Sequence, residues 1–237
     1  MQRVNHLNQP IGDDVVWQAA QTPPRTNMDG RYCRLEPIDI DRHAADLFEA
    51  FSTDETGGIW TYLFTDPFET ETDLRDWMAK ACLGDDPLFY AIIDKGTKKA
   101  VGFATFMRID PVMGVIEVGN INFSPLLQNT PAATEAMFLM MQRAFNELGY
   151  RRYEWKCDNL NAPSHKAAKR LGFKYEGLFR QAIMYKGMYK GRNRDTAWFS
   201  IIDSEWPVLE SSFKAWLNPA NFDSGGRQIK RMEEFRG

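Results

Sequence analysis

Cysteine and histidine are scarce in this sequence of 237 residues, which contains three of each. The cysteines at positions 33, 82 and 157 are widely spaced and odd in number, and none belongs to a C-x-x-C motif. This pattern argues against a disulfide framework and favours a reducing compartment, so we expect a cytoplasmic protein. No histidine lies at metal-ligand spacing from another, and we therefore expect no metal site.

Long hydrophobic runs and an excess of charge of one sign are also missing. No uncharged stretch approaches the length of a membrane span, and the first residues lack the apolar core of a signal peptide. The 29 basic and 32 acidic residues nearly balance, which argues against a general polyanion binder. We therefore expect neither a nucleic-acid nor a membrane partner.

The basic residues are nevertheless concentrated in one part of the chain. Residues 151–194 contain 12 Lys and Arg against 3 Asp and Glu. This segment is suited to contacts with phosphate groups, with the acidic remainder facing a cationic amine. The alternative is a solvated helix face followed by a basic hairpin.

The length suits one domain with additions at both ends. We predict an N-terminal arm at residues 1–29, anchored by Trp17, a main domain at 30–203, and a C-terminal helix and loosely held tail at 204–237. The arm is either an extended wrap around the domain, or a lid or a contact in a homodimer.

The first half of the main domain shows the pattern of a strand, two helices and a hairpin. Alternation predicts a strand at 30–37, and apolar spacing of three and four residues predicts a helix from Asp41. Acidic residues head a second helix at 74–82. Strands at 88–94 and 99–110 flank a Lys-Gly turn and form a hairpin.

The next segment combines a strand with a well-marked helix start. β-branched residues predict a strand at 115–123, and Thr130 as N-cap with Pro131 at the first helical position predicts a helix that runs to Leu148. Free N–H groups and the helix dipole favour negative charge at a helix N-terminus. The loop before this helix therefore fits a pyrophosphate.

Strands and helices continue through the second half of the chain. The expected strands are 151–157, 180–188 and 195–202, and the expected helices are 164–171 and 205–217. Ser204 is the expected N-cap of the last helix.

Four features of this second half occur in the order typical of one enzyme family. They are a strand carrying Glu117, Gln128 at the start of the loop, the triplet TEA at 134–136, and the run NAPSHKAAKRLGFKYEG at 161–177. Together they resemble the GNAT superfamily of acyl-CoA-dependent N-acetyltransferases. The last run is similar to the N-x-x-S…LGF-x-x-EG pattern of the branch that acetylates ribosomal-protein N-termini. The resemblance extends from about residue 30 to 202.

The resemblance implies an α/β fold of the α+β type, with a mixed, mostly antiparallel sheet whose central strand pair is splayed. It also implies acetyl-CoA as cofactor and direct transfer to a primary amine, such as a peptide N-terminus, an amino acid, a polyamine or a drug-like amine. A backbone N–H of strand 117–123 would stabilise the thioester carbonyl. The implied cofactor contacts are Asn122, Phe123, Gln128, Asn129, Thr130, Ala132, Ala133, Thr134, Asn161, Ser164 and Lys166.

The pyrophosphate loop departs from the family pattern. Relatives carry R/Q-x-x-G-x-G/A, whereas this chain reads QNTPAA at 128–133. Pro131 replaces the first glycine and removes one N–H donor, while Ala133 is a permitted residue at the last position.

Four side chains are considered for proton transfer. Glu117 stands where relatives often carry a carboxylate that takes the amine proton, or it only pairs with a cation across the sheet. Ser164 matches the serine of the ribosomal-protein branch and would donate to the departing thiolate, or it only caps its helix. Tyr185 is a further hydroxyl, since Ala168 replaces the tyrosine of many relatives. Glu176 is the next carboxylate to consider.

An aromatic cluster follows the first helix, in the region that commonly walls the acceptor pocket of the superfamily. Its members Trp60, Tyr62 and Phe64 would grip an amine with an apolar body, or they are core residues. Ile183 stands where the ribosomal-protein branch often has a carboxylate. Two alternatives remain: a non-catalytic acyl-CoA-binding protein on the same fold, and an interaction module with a basic surface. A thiol nucleophile at Cys157 is less favoured than a buried structural thiol.

Overall fold

A computed structural model describes residues 3–185 and 191–236 of the protein. Within those residues, eight strands form one sheet and five α-helices pack on it. The strands are β1 (Met28–Asp29), β2 (Cys33–Pro37), β3 (Leu88–Asp94), β4 (Ala100–Asp110), β5 (Val115–Phe123), β6 (Arg152–Asp158), β7 (Lys174–Met184) and β8 (Asn193–Ile202). The helices are α1 (Ile40–Phe51), α2 (Glu71–Ala81), α3 (Pro131–Gln142), α4 (Ala162–Leu171) and α5 (Trp206–Trp216). The predicted strand end at 186–188 lies outside the described residues.

The sheet is mixed and mostly antiparallel, as expected. Its strand order is β1-β2-β3-β4-β5-β6-β8-β7, and the β5–β6 pair alone is parallel among the described strands. That pairing joins Val115 through Val118 to Arg152 through Trp155 and goes no further. Beyond Val118 the two strands separate, so the edge of β5 that faces β6 keeps unpaired backbone groups. This is the splayed central pair that the resemblance implies.

The two faces of the sheet are covered by different helices. Side chains of α3 and α5 belong to one hydrophobic core and those of α1 and α2 to a second. Because side chains alternate along a strand, Ile116 and Val118 point toward α3 and α5, and Glu117 between them points to the other face. The polar residues of β6 and β8 alternate in the same way and share the face of Glu117. They are Arg152, Glu154, Lys156, Asp158, Arg194, Thr196 and Ser200, with the aromatic Trp198 among them.

Local caps explain where the helices around this region begin. Thr130 Oγ1 accepts from the N–H of Ala133 at 3.1 Å, and Pro131 is the first residue of α3, as predicted. Asn161 Oδ1 accepts from the N–H of Ser164 at 3.0 Å, so Asn161 caps α4 and the helix begins earlier than residue 164. The predicted cap Ser204 is wrong, because Glu205 holds that position without a side-chain cap bond.

The N-terminal arm is tied to the domain by buried and half-buried side chains. The predicted anchor Trp17 donates from Nε1 to the carbonyl of Gly149 at 3.2 Å. Arg143, which is 6% exposed, donates to the carbonyls of Thr26 at 2.7 Å and Asn27 at 2.9 Å. The arm therefore follows the surface as an extended strap.

Hydrogen bonds tie the C-terminal segment to the domain, where the sequence suggested a loosely held tail. Buried Asn221 donates to the carbonyls of Trp216 and Lys230, both at 3.1 Å, and accepts from the N–H of Lys230 at 2.9 Å. Met232 is 1% exposed, and Arg236 donates to the carbonyl of Arg170. Glycines and mixed charges suggested mobility, but one buried amide side chain closes this segment into a fixed loop.

The described part of the chain contains no helix that is both long enough and apolar enough to cross a bilayer. Over the same residues, no group of three or more His, Cys, Asp or Glu side chains is arranged to hold a metal ion.

Candidate active site

A cleft of about 1600 Å³ opens where β5 and β6 separate, and it extends from the α1–α2 loop to the C-terminal segment. Single-ligand sites usually measure about 300 to 1,000 Å³, so this cleft has room for two ligands together. Most of the predicted site residues line it: Tyr62, Phe64, Glu117, Asn122, Phe123, Gln128, Asn129, Thr130, Ala133, Thr134, Asn161, Ser164 and Lys166.

The loop before α3 presents a few backbone donors in place of a glycine-rich cradle. Gln128 donates from Nε2 to the carbonyl of Phe123 at 2.9 Å, which ties the loop to the end of β5. The N–H groups of Asn129 and Ala132 have no backbone partner in the described residues, whereas that of Ala133 is bound by Thr130. The Ala132 side chain itself is 3% exposed and lies outside the cleft lining. Of these two amides only that of Asn129 belongs to a residue that lines the cleft, so one free amide and the dipole of α3 remain there for an anion.

Basic side chains lie at the same end of the cleft. Lys166 and Arg170 come from α4, and Arg227 comes from the C-terminal segment. Arg170 donates to Thr134 Oγ1 at 3.1 Å and its guanidinium lies 4.8 Å from the ring centroid of Trp216. Burial lowers the pKa of Arg170, but an arginine stays charged in proteins. Sequence reasoning named Lys166 and missed Arg170, although a spacing of four places both on one helix face.

The middle of the cleft contains a buried amide without a partner. Asn122 is 1% exposed, and neither its Nδ2 nor its Oδ1 is hydrogen-bonded within the described chain. A bulge precedes it, marked by a φ of 45° at Asn120 and by the register shift between Phe103 and Thr105. A buried amide that is unpaired in the free protein costs stability, so its position in the cleft is best explained by a ligand that has amide groups.

Glu117 is a buried carboxylate where the two strands part. It is 4% exposed, and its Oε2 lies 2.7 Å from Lys156 Nζ and 3.3 Å from Arg108 Nε. Burial raises the pKa of Glu117, and the two cations limit the rise. Lys156 also lies 2.6 Å from Glu154 Oε2 and 3.8 Å from the ring centroid of Trp198. Glu117 therefore pairs across the sheet and also lines the cleft, and its role as base stays a prediction.

Glu176 is unsuited to be the base. Hydrogen bonds from Arg152 lower its pKa to about 2, against the opposing effect of burial. The carboxylate also accepts from Ser200 Oγ at 2.6 Å. Its side chain is outside the cleft lining. A carboxylate with so low a pKa holds no proton at neutral pH and binds one only weakly.

Ser164 keeps a hydroxyl proton available. Its Oγ accepts from Trp155 Nε1 at 2.9 Å, so the hydroxyl hydrogen can be donated to a ligand in the cleft. Because Asn161 provides the cap of α4, Ser164 is not needed in that role. Burial raises the pKa of the neighbouring Cys157 thiol, with Ser164 opposing the rise. Cys157 is therefore a protonated, structural thiol.

Besides Ala132, two predicted residues lie away from the cleft. Trp60 is 3% exposed and packs edge-on against Phe51 at 5.2 Å and Phe68 at 5.3 Å, which is the core alternative for this residue. Tyr185 is 2% exposed and donates its hydroxyl to the carbonyl of Tyr62 at 2.8 Å. The structure therefore engages this hydroxyl in fixing the α1–α2 loop. Phe64, by contrast, is 47% exposed at the cleft.

Residues 33–174 match the family model described as an acetyltransferase (GNAT) domain. The chain belongs to the GNAT acetyltransferase family. A GCN5-related N-acetyltransferase from Brucella melitensis is 51% identical with a TM-score of 0.90, and the match covers 93% of this chain and 98% of that one. A probable GNAT acetyltransferase from Chromobacterium violaceum ATCC 12472 is 40% identical with a TM-score of 0.75, covering 84% and 98%. The uncharacterized N-acetyltransferase YnaD of Bacillus subtilis (strain 168) is 31% identical over 138 residues, 58% of this chain and 76% of that protein.

Members of the GNAT family use acetyl-CoA, and the cleft of this GNAT enzyme fits that molecule. The basic end, with the free amide of Asn129 and the N-terminus of α3, suits the phosphate groups. The unpaired edge of β5 and the orphaned amide of Asn122 suit the two amides of the pantetheine arm. The predicted fold and enzyme class are thus confirmed, and the predicted site residues stay predictions.

Proposed function

We propose that this GNAT enzyme transfers an acetyl group from acetyl-CoA directly to a primary amine, with donor and acceptor bound at the same time. The observation that carries the proposal is Glu117, a carboxylate that is 4% exposed, lines the cleft, and has a pKa raised by burial. A base whose pKa lies closer to neutral removes a proton more effectively than an exposed glutamate.

Each chemical role falls to a residue at the opening between β5 and β6. When bound, acetyl-CoA would supply the thioester carbonyl. Glu117 takes the proton of the amine, and the Ser164 hydroxyl provides a proton for the thiolate. Backbone N–H groups on the unpaired edge of β5 stabilise negative charge on the carbonyl oxygen.

The acceptor side of the cleft lies opposite α3. The α1–α2 loop brings Tyr62 and Phe64 there, and Phe179 stacks on Trp198 with ring centroids 4.3 Å apart. Aromatic walls suit an amine with an apolar body. Lys156 and Arg108 next to Glu117 favour its ionised form, which is the form that accepts a proton.

The resemblance to the ribosomal-protein branch concerns a sequence motif and does not extend to the substrate. The run at 161–177 is similar to that of the ribosomal-protein branch, whereas Ile183 lines the cleft where that branch often has a carboxylate. A putative ribosomal-protein-serine acetyltransferase from Vibrio cholerae shares the fold at 19% identity and a TM-score of 0.64. We therefore extend the proposal to primary amines and not to ribosomal proteins.

The proposal is tested in two steps. Titration calorimetry with CoA measures cofactor binding, and release of free CoA thiol from acetyl-CoA over a panel of primary amines measures transfer. We expect saturable binding and amine-dependent thiol release. Binding without release for any amine would instead support the non-catalytic acyl-CoA-binding alternative.

A further inference from the structure

Arg194 is a buried cation for which the described residues provide no counter-charge. It is 7% exposed and lines the cleft. Within residues 3–185 and 191–236, its guanidinium forms no ion pair and no hydrogen bond, and its Nε is completely buried. Its neighbours are the rings of Phe64 and Tyr185, whose centroids lie 5.6 and 5.8 Å away. The intervening residues 186–190, KGMYK, contain no acidic side chain.

The other buried and half-buried cations on this face of the sheet are paired. Arg192 Nη1 lies 2.6 Å from Asp158 Oδ2, and Lys156 is held by two carboxylates. Arg152 is likewise bound by two carboxylates, Glu154 and Glu176. Arg194 is therefore the buried positive charge that the described residues of this face leave uncompensated.

A second orphaned group lies next to Arg194. Thr196 is 2% exposed, shares the strand face of Arg194 and lines the cleft. Its hydroxyl has no hydrogen-bond partner in the part of the chain that the structure describes. An unpaired buried charge and an unpaired buried hydroxyl both cost stability, and here they occur two residues apart on β8.

We propose that Arg194 and Thr196 bind an oxyanion, either a carboxylate or a phosphate, that belongs to the amine acceptor. A guanidinium binds such groups through two parallel hydrogen bonds, and a threonine hydroxyl can donate a third. The proposal rests on the proposed acetyl transfer and narrows its substrate to amines that also carry an acidic group.

The position of this pair assigns the oxyanion to the acceptor and not to the cofactor. Arg194 and Thr196 share the sheet face of Glu117, and Arg194 lies over the ring of Phe64 in the α1–α2 loop. The loop before α3 packs Leu127 into the core on the opposite face, and Arg170 of α4 contacts Thr134 of α3 and Trp216 of α5 on that side. The phosphates of acetyl-CoA therefore have their own basic end of the cleft.

The strand spacing indicates an elongated acceptor. Trp198 contacts Lys156, the partner of Glu117, while Thr196 and Arg194 lie two and four residues away along β8. These separations are about 7 and about 14 Å between Cα atoms. An arginine side chain that extends along the strand shortens the distance between its guanidinium and the region of Glu117. Several bonds should nevertheless separate the amine of the acceptor from its oxyanion.

The first test compares acids with their neutral analogues. Glycine, β-alanine, 4-aminobutyrate and 6-aminohexanoate are assayed beside their amides, and phosphoethanolamine beside ethanolamine. We expect kcat/KM to favour the acid at least tenfold at one chain length beyond glycine. Comparing the acid-to-neutral ratio of kcat/KM for the carboxylates with that for phosphoethanolamine shows which oxyanion is preferred. Equal rates for every acid and its neutral analogue would overturn the proposal.

Variants connect this preference to the two residues. Arg194→Met should reduce the acid-to-amide ratio by about 10- to 100-fold, the effect of losing a charge-assisted pair. Thr196→Val removes only the hydroxyl and should reduce the ratio several-fold. Taking the ratio in each variant cancels the intrinsic reactivity of the amines. Arg180→Met, at an exposed position of β7, is the control and should leave the ratio unchanged.

A melting experiment separates binding from structural support. Arg194→Met removes an unpaired buried charge, so its Tm should equal or exceed that of the wild type. Arg192→Met, two residues away, leaves the Asp158 carboxylate unpaired with its side chain 1% exposed, so its Tm should fall by several degrees. An Arg194→Met protein that melts several degrees lower or does not fold, with the ratio unchanged in Thr196→Val, would show a structural role and refute the proposal.

A binding measurement distinguishes failure of the oxyanion site from failure of the proposed acetyl transfer. Calorimetry of 4-aminobutyrate and its amide with the CoA-loaded enzyme requires no turnover. Preferential binding of the acid, lost in Arg194→Met, supports the oxyanion site even if no thiol is released. Turnover of neutral amines without any preference for acids leaves acetyl transfer intact and contradicts the oxyanion site.

Discussion

Replacement of Glu117 by glutamine removes the proposed base and keeps the shape of the side chain. General-base catalysis contributes about 10²- to 10⁴-fold, so kcat should fall by that factor, equal to about 3 to 5 kcal/mol in the barrier. The fold should tolerate the change. Lys156 keeps its ion pair with Glu154, whose Oε2 lies 2.6 Å from Lys156 Nζ. The side chain of Arg108 is 54% exposed, so water solvates its charge when Glu117 is neutral. We therefore expect Tm to change by no more than a few degrees.

Glu154→Gln is the matched control for this variant. Glu154 pairs with Glu117 in the strand register and holds the same Lys156, but its side chain is outside the cleft lining. If loss of one carboxylate from Lys156 were enough to reduce activity, both variants would be equally slow. We expect Glu154→Gln to retain kcat within about tenfold, less than the contribution of a general base.

The pH dependence gives a second readout of the same residue. Burial raises the pKa of Glu117, and only the ionised carboxylate accepts a proton, so kcat/KM should rise with pH through that raised pKa. The acceptor should be an amine whose own pKa lies below that of Glu117. Such an amine is neutral throughout this pH range, so its titration does not contribute to the profile. The acidic limb should be absent in Glu117→Gln. A variant that kept both the wild-type rate and the limb would refute the assignment of Glu117 as base.

Three further outcomes test the architecture around the site. Gly102→Ala should raise the KM for acetyl-CoA and lower Tm, because its Cβ would meet the carbonyl oxygen of Asn122 at 2.7 Å and push β5 at the splay. Asn221→Ala should destabilise the protein by about 2 to 3 kcal/mol, measured by thermal melting, because three hydrogen bonds at a buried side chain are lost. Hydrogen bonds from Arg152 are the main cause of the lowered pKa of Glu176, which is about 2. The stability that the ionised Glu176 contributes is therefore fully present above its unfolded pKa of about 4.3 and is lost as the pH falls from there toward 2. Acid unfolding followed by circular dichroism should show a smaller loss over that interval in Arg152→Gln than in the wild type.

Much of the architecture could be predicted because the local signals were strong. The strand at 115–123 and the start of α3 at Pro131 were indicated by alternation and by a cap, and both were right to the residue. The error at α4 has a clear cause. Asn161 and Ser164 are both good caps three residues apart, and the hydrogen bond from Ser164 N to Asn161 Oδ1 decides between them only in three dimensions.

Tertiary contacts determined what the sequence could not show. The bulge at Asn120 depends on the register with β4, and the fixed C-terminal segment depends on the hydrogen bonds of Asn221. Trp60 and Phe64 have the same character in sequence, yet one packs in the core and the other faces the cleft. Arg194 could not be singled out from the sequence for the same reason. Only the structure shows that its side chain has no partner among the described residues.

One signal for the acceptor side is present in the sequence. Polar residues occupy every second position of β6, and Arg194, Thr196 and Ser200 continue the pattern in β8 with Trp198 among them. The residues between them from 153 to 157 and from 197 to 201 are apolar and pack beneath α3 and α5. In a sheet covered on both faces, such alternation is unusual, and it indicates a face that lines a polar cavity. This pattern alone favours Lys156, Arg194 and Thr196 as residues of such a cavity.

The central claim is that acetyl-CoA occupies the opening between β5 and β6, and a crystal structure of the enzyme with CoA bound tests it most directly. We expect the diphosphate within hydrogen-bond distance of the backbone amide of Asn129 at the N-terminus of α3, the pantetheine arm along the unpaired edge of β5, and its thiol beside Glu117 and Ser164. CoA bound elsewhere, with this cleft empty at saturating concentration, would contradict the account.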